Sequence, residues 1–130
     1  MELCSLYGVI DMSQHEKINY IEFPATDIAA TKIFFADVFG WKFVDYGSEY
    51  VAIENAGIDG GFFKSDLNIS TKNGSALIVF YSENLEKTQT NIEVAGGSII
   101  KAIFAFPGGR RFHFTDPSGN EFAVWSDIFA

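Results

Sequence analysis

The chain has 130 residues, 48% of them hydrophobic and 16% aromatic with 14 Phe, which suffices for one packed core but not for two independent domains. Its formal net charge of −8 argues against a nucleic-acid partner, which needs clustered Lys and Arg to displace condensed counterions. A single cysteine, Cys4, excludes an intramolecular disulfide framework and suits a reducing, cytoplasmic compartment, and no apolar run near Met1 is long enough for a signal peptide or a membrane span.

Residues 1–17 read as an irregular extension. Alternation from Ile18 to Phe23 predicts a strand, after which Asp27 stands where an N-cap belongs. A helix follows, with Ile28, Phe35, Val38 and Phe39 at helical spacing and Gly40 as its left-handed stop. Trp41 to Tyr46, Tyr50 to Glu54 and Gly60 to Lys64 read as three short strands. The segment 65–75, rich in Ser, Asn, Lys and Gly, has the composition of a surface connection. Leu77 to Tyr81 then predicts a strand, Asn84 a second N-cap, and Ala95 with Gly96-Gly97 a second helix end. Three strands complete the chain, the last two being Arg111 to Thr115 and Glu121 to Trp125. Between these, Asp116-Pro117-Ser118-Gly119-Asn120 predicts a tight turn: Pro117 presets φ, Gly119 supplies positive φ, and Asp116 bonds forward to backbone amides. Residues 127–130 form a tail.

The offset that carries Asp27 onto Asn84 also carries Ile21 onto Ile78, Phe23 onto Phe80, Ile28 onto Leu85, Phe35 onto Ile92 and Gly40 onto Gly97. Cap, helix face and stop repeat together, which marks an internal duplication of a βαβββ unit. The organisation is one domain over 18–126, with module one at 18–64, the linker at 65–75 and module two at 76–126. Neither module buries enough apolar area to stand alone, so the two sheets should pack or pair.

These residues, namely Asp27, Phe34-Phe35, Val38-Phe39-Gly40-Trp41, Gly96-Gly97 and Phe114 to Asn120, resemble the vicinal oxygen chelate superfamily of glyoxalases, bleomycin resistance proteins and extradiol dioxygenases. The resemblance implies an α+β fold in which two βαβββ modules pair into a curved mixed sheet around a cavity, with helices on the outer face. It also implies a homodimer. Many members hold a divalent cation through His and Glu on the first and last strands of the modules and use it as a Lewis acid. The first-strand His position, seven residues before the capping Asp27, is Tyr20 in this sequence, and its repeat partner is Leu77. The last-strand Glu position, three residues beyond Asn120, is Ala123. None of the three offers imidazole nitrogen or carboxylate oxygen. The fourth position lies around Glu54 or Phe63. The expectation is therefore no metal cofactor, with a divalent metal as the alternative.

If the family register holds, alternation turns Ile21, Phe23, Ile78 and Phe80 toward the helices and Tyr20, Glu22, Leu77, Val79 and Tyr81 toward the cavity, joined there by Ala123 and Trp125. That lining suits a small organic ligand, and equally a filled core. Glu22 is its carboxylate and a candidate anchor or general base; the alternatives are an ion pair with Arg110 or Arg111, or plain exposure. His113, alternating with Phe112 and Phe114, is a second catalytic candidate. His15 reads as a flank, Glu121 as a solvated strand end and Trp41 as a core residue closing the first helix. Arg110-Arg111 suits either an anion clamp or a rim salt bridge. Gly108-Gly109 precedes no helix that would make a phosphate loop.

Three functions remain open at this level. The first is a metal-free binder of an amphipathic, cationic compound against Tyr20, Tyr81 and Trp125. The second is an enzyme: a metal-dependent lyase or dioxygenase, or a metal-independent isomerase or lyase with Glu22 as base. The third is an interaction protein whose concave surface is packed shut.

Overall fold

The computed structural model describes residues 15–129, so the expected extension lies outside the described residues up to residue 14, and the tail does so at residue 130. Module one comprises β1 (Tyr20–Ala25), α1 (Ile28–Phe39), β2 (Lys42–Asp45), β3 (Tyr50–Glu54) and β4 (Asp59–Lys64). Module two comprises β5 (Ile78–Tyr81), α2 (Leu85–Val94), β6 (Ser98–Phe106), β7 (Gly109–Thr115) and β8 (Glu121–Ser126). The caps act as their chemistry requires. The Asp27 carboxylate accepts from the Ala30 amide at 3.0 Å, the Asn84 side chain accepts from the Lys87 amide at 3.1 Å, and Gly40 ends α1 with φ at 70°.

Strand limits shift from expectation by one or two residues at several ends, and two of these shifts bear on packing. β1 begins and ends later than the alternation suggests, since Pro24 and Ala25 continue its parallel ladder opposite Phe63 and Lys64. Proline is tolerated there because β1 lies at the edge of its sheet. Trp41 does not join β2: its amide bonds back to the Phe35 carbonyl at 3.3 Å and its indole stacks on Phe35 with ring centres 4.4 Å apart. It is a buried core residue at the helix end, as expected.

The strands form two four-stranded sheets, ordered β1-β4-β3-β2 and β5-β8-β7-β6. In each, the first strand runs parallel to the last of its module and the others are antiparallel. The modules are joined by packing. Phe35 of α1 lies 5.5 Å from Phe62 of the first sheet and 5.5 Å from Phe122 of the second, Phe23 meets Phe122 at 5.4 Å, and Phe39 stacks on Phe80 at 4.1 Å. Leu85 and Ile92 bring α2 into the same core. One aromatic interior therefore serves both sheets, with offset and edge-to-face contacts that add to the burial of apolar area.

Polar ties fix the modules further. The fully buried Asn120 donates from its side-chain amide to the Pro24 carbonyl at 2.7 Å and accepts from the Ile69 amide at 2.9 Å. Asp116 accepts from the amides of Ser118 and Asn120 at 2.9 and 2.8 Å. The linker is thus stitched to the turn. Among the described residues, no helix is long and apolar enough to cross a membrane.

Candidate functional site

Strand alternation turns one face of each sheet into the shared core and the other away from it; on that outer, partly open face Tyr20, Val79 and Tyr81 are exposed, whereas Ala123 and His113 are buried. On the open face of the first sheet, β1 presents Tyr20 and Glu22, and the register places Gly61 of β4 beside Glu22 and Ala52 of β3 beside Gly61. Tyr50 reaches across from β3. Its hydroxyl donates to Glu22 Oε2 at 2.9 Å and lies 2.5 Å from the Tyr20 hydroxyl. A side chain at position 61 would collide with the Tyr50 phenol, so glycine there is what lets the ring lie over the sheet. Burial, followed by the bonds to Tyr20 and Glu22, holds the Tyr50 hydroxyl well above the usual phenol range. Glu22 is exposed and, among the described residues, takes no guanidinium partner. Of the alternatives open for Glu22, the ion pair with Arg110 is not the one formed: Arg110 reaches Glu86 at the start of α2, at 2.6 Å.

On the open face of the second sheet, Val79, Tyr81, Ala123 and Trp125 stand together, flanked by Arg111 and His113 of β7, which pair in register with Trp125 and Ala123. Leu77 precedes β5 and is half-buried. The Tyr81 ring meets Trp125 edge-on at 5.4 Å, and its hydroxyl donates to Asp127 at 2.6 Å. His113 is 5% exposed, and its Nδ1 lies 2.8 Å from Glu121 Oε2. Glu121 Oε1 accepts from the Thr71 amide at 2.8 Å and the Thr71 hydroxyl at 2.9 Å. Glu121 is therefore buried, and the reading of it as a solvated strand end is corrected. The linker covers it, a contact that no local pattern announces. Burial opposes the Glu121 charge, but the bonds from His113 and Thr71 outweigh that and hold its carboxyl below the usual range. His113 Nε2 is buried without a partner among the described residues.

The residues expected to share a cavity fall into two groups. Tyr20 and Glu22 occupy one open face, while Val79, Tyr81, Ala123 and Trp125 occupy the other. Tyr20 is 46% exposed, Val79 42% and Tyr81 50%. A cleft of about 530 Å³ opens where the sheets diverge, lined by Phe39, Trp41, Ile58, Ile78, Val79 and Tyr81 among others, and it takes only the last two from the expected set.

The donor set does not fit the divalent cation of the family pattern. Tyr20, Leu77 and Ala123 bring a phenol, an isobutyl group and a methyl group to the ligand positions. Glu54 is exposed, and Phe63 lies beside Tyr50 in register. Among the described residues, no group of three His, Cys, Asp or Glu is placed to hold a metal ion.

A profile of the glyoxalase/bleomycin resistance protein/dioxygenase superfamily matches residues 17–124. The chain belongs to this superfamily. Solved structures agree on the fold. A glyoxalase/bleomycin resistance protein/dioxygenase family enzyme from Burkholderia phytofirmans PsJN superposes with a TM-score of 0.71 at 18% identity, over 85% of this chain and 98% of that one. A glyoxalase-related enzyme from Fulvimarina pelagi gives 0.68 at 19% identity, over 85% and 88%. A point mutant of the fosfomycin resistance protein FosX from Listeria monocytogenes, complexed with Mn(II) and 1S,2S-dihydroxypropylphosphonic acid, gives 0.71 at 18% identity, over 85% and 89%. Comparison with curated protein sequences gives no match.

Proposed function

We propose that this glyoxalase-superfamily chain binds a small organic molecule in an aromatic, metal-free cup. The observation that carries this reading is the identity of the side chains at Tyr20, Leu77 and Ala123, which replace coordinating nitrogen and oxygen with aromatic and aliphatic surface suited to an organic ligand. The working unit is a homodimer in which the open face of module one in one copy meets the open face of module two in the other. Support comes from the exposed Tyr20, Val79 and Tyr81 on those faces, apolar area of the kind that marks an interaction surface. The cytoplasm, as a reducing compartment, suits the single cysteine.

A second reading is a metal-independent isomerase or lyase, and it is favoured by the His113–Glu121 pair. A carboxylate on Nδ1 orients the imidazole and leaves Nε2 as the end available for proton transfer. Glu22, exposed and hydrogen-bonded to Tyr50, is the lesser candidate base.

The test combines elemental analysis with ligand titration of purified protein. Absence of stoichiometric zinc, nickel, manganese or iron is expected. So is saturable quenching of Trp fluorescence by monocyclic aromatic compounds, lost in Trp125→Ala and weakened in Tyr20→Ala. One bound metal per chain, or failure of every such compound to bind, overturns the proposal.

A further inference from the structure

The open face of the second sheet gathers basic groups in a chain that carries 17 acidic residues against 9 basic ones. In the β6–β7 register, Lys101 stands opposite His113 and Phe104 opposite Arg111, with irregularities between Ile99 and Lys101 and between Lys101 and Phe104. A regular strand would send positions 101 and 104 to opposite faces; the irregularity brings both to the face of Arg111 and His113. The three basic groups then surround one ring. Lys101 Nζ lies 4.7 Å from the Phe104 centroid, Arg111 Cζ 5.4 Å, and the His113 ring 6.1 Å. Arg111 also sits 6.0 Å from the Phe106 ring, which in turn meets Trp125 at 6.2 Å.

Of the three, only His113 has a carboxylate partner among the described residues, Glu121. Lys32 pairs with Asp45 and Arg110 with Glu86, whereas neither Lys101 nor Arg111 makes a salt bridge among the described residues. The nearby carboxylate, Glu121, has both oxygens engaged by His113 and Thr71. Among the described residues, Arg111 Nε and His113 Nε2 are buried without hydrogen-bond partners, a state that costs free energy unless something else supplies them. Ala123, opposite His113, places a methyl where a carboxylate would repel an anion.

We propose that this face is an oxyanion site for the head group of a small aromatic acid. Arg111 grips the carboxylate or phosphate with its planar donors, His113 stands beside it with its ring held by Glu121, Lys101 adds charge, and Phe104, Phe106 and Trp125 flank the ring of the ligand. The inference rests on the small-molecule reading above and fixes the ligand's charge, reversing the cation that net acidity alone suggests.

The test is a calorimetric titration of the full chain with phenylacetate and phenyl phosphate against matched neutral phenylacetamide and cationic phenethylamine. The acids are expected to bind at least about tenfold more tightly than the amide, the value of one charge-assisted contact. Arg111→Gln should remove that advantage, Arg111→Lys should restore part of it, and Lys101→Gln should cost the acids about threefold. Lys101 is exposed, so its variant keeps the test decisive even if Arg111→Gln fails to fold. Amide and amine binding as tightly as the acids would overturn the oxyanion site while leaving the small-molecule reading intact. No binding by any of the four would overturn both. Equal discrimination in wild type and in the foldable variants would show that the named residues are not the site.

Discussion

The two modules share one plan, yet their open faces carry opposite chemistry. Module one presents a chain of two phenols ending on the Glu22 carboxylate; module two presents Arg111, Lys101 and a buried His113–Glu121 pair beside Trp125. The inner faces, by contrast, are alike: both turn phenylalanines into one core. Duplication preserves what packing requires, the alternation and the caps, and leaves the outward positions free to diverge because no common interior constrains them.

The most disruptive way to break the comparison is to remove what the modules share. Phe35→Ala takes out a fully buried ring that touches both sheets and should cost about 3–5 kcal/mol in urea denaturation. Asn120→Ala, severing the link from the turn to Pro24 and Ile69, should cost about 2–4 kcal/mol by leaving buried backbone groups unsatisfied. A cost below about 1 kcal/mol for either would mean that the modules are held together elsewhere.

Acid–base behaviour sharpens the contrast within module two itself. Burial pushes Asp116 up to about 6, its hydrogen bonds offsetting part of the shift. A raised carboxyl stabilises the fold most below its ordinary value and loses that contribution as pH rises through about 6. Glu121, held low, behaves oppositely: its contribution is present above the ordinary value of about 4 and fades as pH falls. Denaturation across acidic pH should therefore show wild type losing ground to Asp116→Asn as pH rises, and losing its advantage over Glu121→Gln as pH falls. Parallel curves for Glu121→Gln and wild type would sever the carboxylate from the stability of that face.

The smallest effect belongs to module one. Gly61→Ala should push the Tyr50 phenol off Glu22 with a stability change within about 1 kcal/mol. Its signature is spectroscopic: the Tyr50 phenol should ionise at lower pH than in wild type when followed by ultraviolet titration. Glu22→Gln, which removes the charged acceptor, should shift it in the same direction, and an unmoved titration in both would detach Tyr50 from that network.

Much of the architecture is legible in the sequence. Asp27 and Asn84 as caps, Gly40 as a left-handed stop, Tyr50 to Glu54 as a strand and the repeat itself are local patterns, and local patterns report backbone dihedrals and faces. The partners were not legible. Glu121 looked like a solvated strand end because its burial depends on Thr71, 50 residues away in sequence. Arg110 found Glu86 rather than Glu22 because α2 places that carboxylate beside the start of β7. The β6 irregularity that unites Lys101 with Phe104 is invisible in a run reading Ser98 to Phe106 as continuous strand.

The sequence by itself determined the duplicated βαβββ order, the two inner faces that would be buried, and the non-coordinating side chains at Tyr20, Leu77 and Ala123. Only the tertiary structure decided that the sheets join through a shared aromatic core, leaving two open faces, and which charges on those faces are neutralised. The physical reason is range. Periodicity and capping act over a few residues and are written in their spacing, whereas ion pairing and burial depend on which distant segments the core brings within a few ångströms of each other.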